Sequence, residues 1–170
     1  MWQEFLQRLA AVEAEFTYDD VSGWGAKTLQ AMIALGLLHE LPSATHVVCD
    51  SCPEAHWEKV RWSADGTRAF IPCPIEGAVN VDRDRLRRWE MVPLGLAELL
   101  ARAMNLSGRV ESFPDHRAWY MGERLLAGRN RHFFFAAIGP DELPSIMKEI
   151  RLEHGRDGSV VASFPCSRHY

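Results

Sequence analysis

Two thiols stand three positions apart in VVCDSCPEAH, residues 47–56, and an imidazole follows four positions after the second. Cys49 and Cys52 have the spacing of a tight turn from which two thiolates can reach one zinc ion at about 2.3 Å. A third thiol, Cys73, stands in CPIEG, residues 73–77. With His56 as the fourth donor the pattern is C-x2-C-x3-H-x16-C, and imidazole accepts zinc readily. Glu76 is the alternative fourth donor, since a carboxylate also ligates; His46 and the terminal Cys166 and His169 are more distant choices. Water as the fourth ligand would instead leave a position open for catalysis.

Other chemistries compete for these cysteines. They could be small buried hydrophobes. They could form a redox pair, which needs Cys49 at the start of a helix after a parallel strand, where its pKa would fall. CPEAHWEKV could open such a helix, but no βαβ pattern surrounds it, and Cys73 would have no role. Metal binding accounts for all three thiols. The segment 47–81 is too short to bury much by itself, so a bound Zn2+ ion would supply missing folding free energy, a structural role. Glu54 and Glu58 are close enough in sequence to serve as a general base at an open site, yet neither HExxH nor HxE…PCxxC occurs.

The cysteine segment resembles a zinc ribbon. CPIEG is similar to that family's CPxCG knuckle, with Cys73, Pro74 and Gly77 in place and Glu76 where the family has its fourth cysteine. The resemblance covers about residues 47–81 and implies a zinc ion held between two knuckles at the ends of adjacent hairpins.

Around this segment, Trp2, Phe5, Leu6, Leu9, Val12 and Phe16 form an apolar stripe that predicts a helix over residues 2–16. TYDDVSGWGAK is rich in turn formers, with Ser22 as a cap for the next element. KTLQAMIALGLLHEL then reads as a second helix, with Leu29, Met32, Ile33 and Leu37 on one side and Gly36 at a left-handed helix end. ALGLLHEL resembles the last helix of winged-helix DNA-binding domains, where the chain turns into a strand; that resemblance covers about residues 5–48, and a plain helical hairpin is the alternative. THVV, EKVRW, TRAFIPC and GAVNV read as short antiparallel strands, with Asp65-Gly66 as a two-residue hairpin turn.

DRDRLRRWEM predicts a helix capped by Asp82 or Asp84, which Pro93 should kink or split before LGLAELLARAMNL, with Leu96, Leu99, Leu100 and Met104 on its buried side. Beyond it, RAWYMGERLL and RHFFFAAI flank the turn AGRN, PDELPSIMKEIRLE predicts a helix opened by Pro140-Asp141, and GSVVASF a last strand. The fold class is α+β: a winged-helix-like segment over 1–46, a zinc-knuckle hairpin over 47–81, a linking helix over 82–107 and an α/β region over 108–170. Gly108 to Pro114 marks the boundary between a front and a rear half. The order also resembles bacterial accessory proteins that join such a head to a zinc knuckle.

Composition narrows the partners. With 47% hydrophobic and 25% charged residues the chain is globular, and its net charge of −4 argues against a broadly basic, sequence-blind nucleic-acid binder. Local basic faces remain. Arg83, Arg85, Arg87 and Arg88 alternate with Asp82 and Asp84; Arg124, Arg129, Arg131 and His132 adjoin Phe133 to Phe135. Either could meet phosphates or a protein partner. Pro114-Asp115 and Glu123 superficially match a PD-(D/E)xK nuclease, but Leu125 stands where that reaction needs lysine. Asp115 and His116 would also serve as an acid/base pair or a surface turn. Neither a Gly-rich phosphate loop nor a G-x-S-x-G elbow is present.

Charges inside the N-terminal apolar pattern suit an amphipathic helix rather than a signal peptide, and the sequence has no apolar run of about 18 residues, so no membrane partner is expected. The expected setting is cytoplasmic and reducing, which disfavours structural disulfides. The expected function is that of a non-catalytic, zinc-stabilised adaptor or regulatory protein acting through protein or nucleic-acid binding. The alternatives are a winged-helix DNA-binding transcriptional regulator, with helix 27–38 in the major groove, and a zinc-dependent hydrolase.

Overall fold

The computed structural model describes residues 5, 8–9, 14–113, 117–138, 141–154 and 159–163. Phe5, Arg8 and Leu9 are helical, and Phe5 and Leu9 are fully buried, in keeping with the apolar stripe. The stripe's last member is not helical. Phe16 lies in strand β1, Glu15–Thr17, paired antiparallel with residues 88–90 so that Phe16 faces Trp89. Thr17 then caps a short helix α1, Tyr18–Ser22: its N–H donates to the Asp20 carboxylate at 2.8 Å while its hydroxyl accepts from the Asp20 N–H. Ser22, expected as a cap, ends α1 and donates to the Asp19 carbonyl.

Helix α2, Ala26–Ala34, stops before Gly36, whose φ of 72° is the left-handed conformation expected at a helix end. The rest of the expected second helix is strand β2, Leu38–Glu40. Strands β3, His46–Val48, and β4, Trp57–Lys59, form an antiparallel pair. Strands β5, Arg61–Trp62, β6, Ala69–Cys73, and β7, Gly77–Val81, make an antiparallel sheet in that order. Asp65-Gly66 lies in the loop 63–68 rather than forming a two-residue turn. The Asp65 carboxylate holds the wider loop by accepting the Ser63 and Thr67 hydroxyls and the Thr67 N–H.

The helix expected over DRDRLRRWEM does not form. One 3-10 turn, Asp84–Leu86, precedes strand β8, Arg88–Met91, the centre of a three-stranded sheet in the order β1-β8-β2. Trp89 and Met91 are buried and Glu90 is exposed, the two-residue alternation of a half-buried strand. Partners distant in sequence fix it: Arg87 makes a fork with Glu40 at 2.7 and 3.1 Å, and Arg88 reaches Glu15 at 3.0 Å. Pro93 splits nothing. It occupies the first turn of α3, Pro93–Ala103, where its missing N–H costs no helical bond. Leu96, Ala97 and Ala101 of α3 are buried, and Leu99, Leu100 and Met104 are half-buried. Gly95 meets the end of α2 so closely that a Cβ there would lie 1.8 Å from the Gly36 carbonyl oxygen.

Strand β9, Glu111–Ser112, pairs with β10, Ala118–Leu126, which turns through Ala127 and Gly128 into β11, Arg129–Ala136. Their φ angles of 50° and 76° make the left-handed two-residue turn that suits the twist of a hairpin. Helix α4, Leu143–His154, leads to β12, Ser159–Ser163, parallel to β11, for a sheet order β12-β11-β10-β9. The expected helix opening at Pro140 lies outside the described residues.

The chain divides into two compact units, one built from 1–14, 30–38 and 91–170 and the other from 15–29 and 39–90. A core of the first comprises Phe113, Ala118, Phe134, Ala136, Ile138, Ile146 and Ile150. A core of the second comprises Val47, Cys49, Cys52, Val60, Ala69, Ile71, Cys73, Val81 and Leu86. Among the described residues no helix is long and apolar enough to cross a membrane.

Candidate metal centre

Cys49 directly follows β3, and its N–H donates to the His56 carbonyl at 2.9 Å, closing the β3–β4 connection into a tight loop. Within that loop the Ala55 N–H reaches the Cys52 carbonyl and Ala55 takes a φ of 44°. The bend brings His56 back beside Cys52. The segment CPEAHWEKV is therefore a turn and a strand, and the helix that a redox-active Cys49 requires is replaced by an antiparallel hairpin.

Cys73 arrives from a separate hairpin. It is the last residue of β6, and Pro74 to Glu76 turn the chain into β7, with Cys73 opposite Gly77. The Glu76 N–H donates to the Cys73 sulfur at 3.3 Å, the backbone contribution of this second knuckle.

The donor atoms of Cys49, Cys52, His56 and Cys73 all lie within 4.8 Å of one another. His56 Nδ1 is 3.3 Å from Cys52 Sγ. Tetrahedral coordination with Zn–S near 2.3 Å and Zn–N near 2.0–2.1 Å puts sulfurs about 3.8 Å apart and nitrogen about 3.5 Å from sulfur. The cluster could therefore hold a metal ion such as zinc with small adjustments. The three cysteines are free and buried. Burial pushes the Cys52 thiol up, whereas the Glu76 N–H on its sulfur pulls the Cys73 thiol down toward the thiolate a metal requires. Plain burial explains the cysteines alone but leaves the facing imidazole unexplained, because His56 Nε2 is buried without a hydrogen-bond partner.

Of the alternative donors, the Glu76 side chain is exposed and outside the cluster. His46 is exposed and bonds the Thr45 hydroxyl at 3.1 Å. Cys166 and His169, like Pro114, Asp115 and His116, lie outside the described residues.

The arginines singled out by sequence are largely tied down. Arg83 donates to the Gly66 carbonyl at 2.8 Å and lies over the Trp62 ring; Arg85 bonds Asp50 and the Val48 carbonyl. Arg87 and Arg88 hold Glu40 and Glu15, and Arg87 also covers the Trp89 ring at 5.0 Å. Arg129 and Arg131 sit opposite Leu126 and Arg124 in the β10–β11 hairpin and make no side-chain hydrogen bond or ion pair among the described residues.

Two features escaped the sequence reading. Trp57, Trp62 and Ile75 stand exposed on the unit that carries the donor cluster, which no local pattern announces. Glu58 reaches toward His56 rather than toward an open coordination position, a placement legible only as the alternation His56-x-Glu58 once β4 is known. No protein-family model, no curated protein and no solved structure matches the chain.

Proposed function

We propose that Cys49, Cys52, His56 and Cys73 form a structural zinc centre and that the protein works as a non-catalytic adaptor through the surface this centre organises. The observation that supports it is the completeness of the donor set: three thiols and an imidazole converge from two separate knuckles. Such a shell is filled by protein atoms, leaving no position for a water or a substrate, which counts against a zinc-dependent hydrolase. A bound zinc ion would supply binding energy as a Lewis acid, and Cys49, Cys52, His56 and Cys73 would hold it through three sulfurs and one nitrogen.

The adaptor reading draws on the surface. Trp57, at 69% exposure, and Trp62, at 46%, are residue types enriched in protein interfaces. Trp57, Val47, Val48 and Arg85 line a cavity of about 200 Å³, smaller than the roughly 300–1,000 Å³ of small-molecule sites and suited to a partner's side chain. The DNA-binding alternative draws on less. Helix α2 carries Lys27 as its one basic residue, and the four arginines between 83 and 88 already bond within the unit.

Elemental analysis of the purified chain tests the zinc centre: about one zinc per chain is expected by this donor set, and Cys73→Ser should lose it. Zinc-free protein, or full retention in the variant, sinks that half. For the adaptor half, titration with duplex DNA at low and high salt should reveal no steep salt-dependent binding, and a defined partner should weaken on Trp57→Ser. Strong salt-dependent binding would move the protein to the regulator class.

A further inference from the structure

His56 immediately precedes β4 and Glu58 lies within it, so the two-residue period of the strand sets both on one face. Trp57 and Lys59 occupy the other face and are exposed. The imidazole thus has two ends with different surroundings. Nδ1 looks at the sulfur of Cys52, 3.3 Å away. Nε2 is buried and lacks a hydrogen-bond partner, and the Glu58 Oε1 atom lies 3.8 Å from it, with side-chain exposures of 20% for His56 and 29% for Glu58.

A buried ring N–H with no acceptor is costly, and a ligating histidine nearly always donates its second nitrogen to a carboxylate, carbonyl or water. We propose that His56 binds the ion through Nδ1 and that Glu58 is its positioning residue, accepting the Nε2–H. This rests on the zinc reading above. Closing the gap needs a shift of about 1 Å, within the rotamer freedom of a partly exposed glutamate. The consequence is a fixed tautomer. With Nε2 protonated and held, the Nδ1 lone pair is presented to the metal, and the negative carboxylate behind the ring raises its basicity as a ligand.

The same geometry explains why His56 and not Glu76 completes the set. Glu76 contributes its backbone N–H to the Cys73 sulfur while its carboxylate stays in solvent. His56 has a half-buried carboxylate 3.8 Å from its other ring nitrogen.

The test uses the full chain loaded with cadmium-113 and labelled with nitrogen-15. Coupling between the metal and His56 Nδ1, with a protonated Nε2, is expected; coupling through Nε2 overturns the proposal without any variant having to fold. Zinc affinity measured against a chromophoric chelator should fall about 10–100-fold in Glu58→Ala. Glu58→Gln, whose amide oxygen still accepts, should lose less, and Lys59→Ala, on the opposite face, should lose nothing. Unchanged affinity in Glu58→Ala overturns the role of Glu58 while leaving the zinc centre intact. A wild-type chain that binds neither zinc nor cadmium overturns the centre itself, so the two failures are distinct.

Discussion

The two units solve one problem, closing a small sheet over a core, with different materials. In the first, a nine-residue and an eight-residue strand pair in a long hairpin, and fully buried Phe134, Ile146 and Ile150 sit in its core. In the second, strands of two to five residues surround a core of nine residues, three of them cysteines, while the aromatic Phe16 and Trp89 are buried apart from it on β1 and β8. An aromatic side chain brings its own apolar area and its own contacts, whereas a cysteine brings little area and one good ligand atom. The first unit can therefore be held by packing alone. In the second, an ion joining the sulfurs, as proposed above, would add what packing does not.

Stripping the metal should break the comparison most visibly. Apparent zinc binding energies of about 10–16 kcal/mol in small zinc modules match or exceed the stability of a whole domain, about 5–15 kcal/mol. After exhaustive chelation, amide exchange should show β3 to β7 unprotected and the β10–β11 hairpin still protected. Equal loss in both would mean that the ion supports the whole chain, and no loss that the cysteines merely pack.

The converse perturbation is smaller. Phe134→Ala removes a fully buried ring from the first unit and should cost about 3–5 kcal/mol in chemical denaturation while leaving zinc stoichiometry at its wild-type value. A variant that also lost its metal would show the units to be energetically inseparable.

A finer contrast lies inside the second unit, between its donor cluster and its turns. Asp65 in the 63–68 loop is held down to a pKa of about 2, from 3.8, chiefly by the Ser63 hydroxyl and then by Thr67. Because the folded value is the lower one, the loop's stabilisation is complete above pH 3.8 and fades as pH falls toward 2. A carbon-13 titration of the Asp65 carboxyl should place its midpoint near 2; a midpoint at 3.8 would remove the hydroxyl bonds from the account. Glu76→Gln gives the smallest effect of all, no change in zinc content, since its carboxylate is outside the donor cluster.

What the sequence disclosed follows the range of the forces. Tight turns and ligand spacings are local, so the Ala127-Gly128 hairpin, the left-handed Gly36 and the cysteine pattern were readable. β8 was not. The arginines and aspartates leading into it suit a helix surface, and what makes it a strand is pairing with β1 and β2, flanked by ion pairs from Arg87 to Glu40 and Arg88 to Glu15, 47 and 73 positions away. Phe16 was misplaced for the same reason, its position being set by Trp89 across the sheet. The fourth donor lay between these cases. Spacing allowed both His56 and Glu76, and the decision came from the loop that folds His56 back onto Cys49. The winged-helix resemblance of the first 48 residues rested on one helix end turning into a strand, and α2 followed by β2 has that form without establishing the family.

The contact between Gly95 and the Gly36 carbonyl has a bearing on how this chain can vary. With a hydrogen as its entire side chain, position 95 tolerates no replacement unless two helix ends separate, because even one methyl would overlap a backbone oxygen that cannot rotate away. The preceding Leu94 is 40% exposed. In a saturation library the two adjacent positions should diverge completely, glycine alone surviving at 95 and most residues passing at 94.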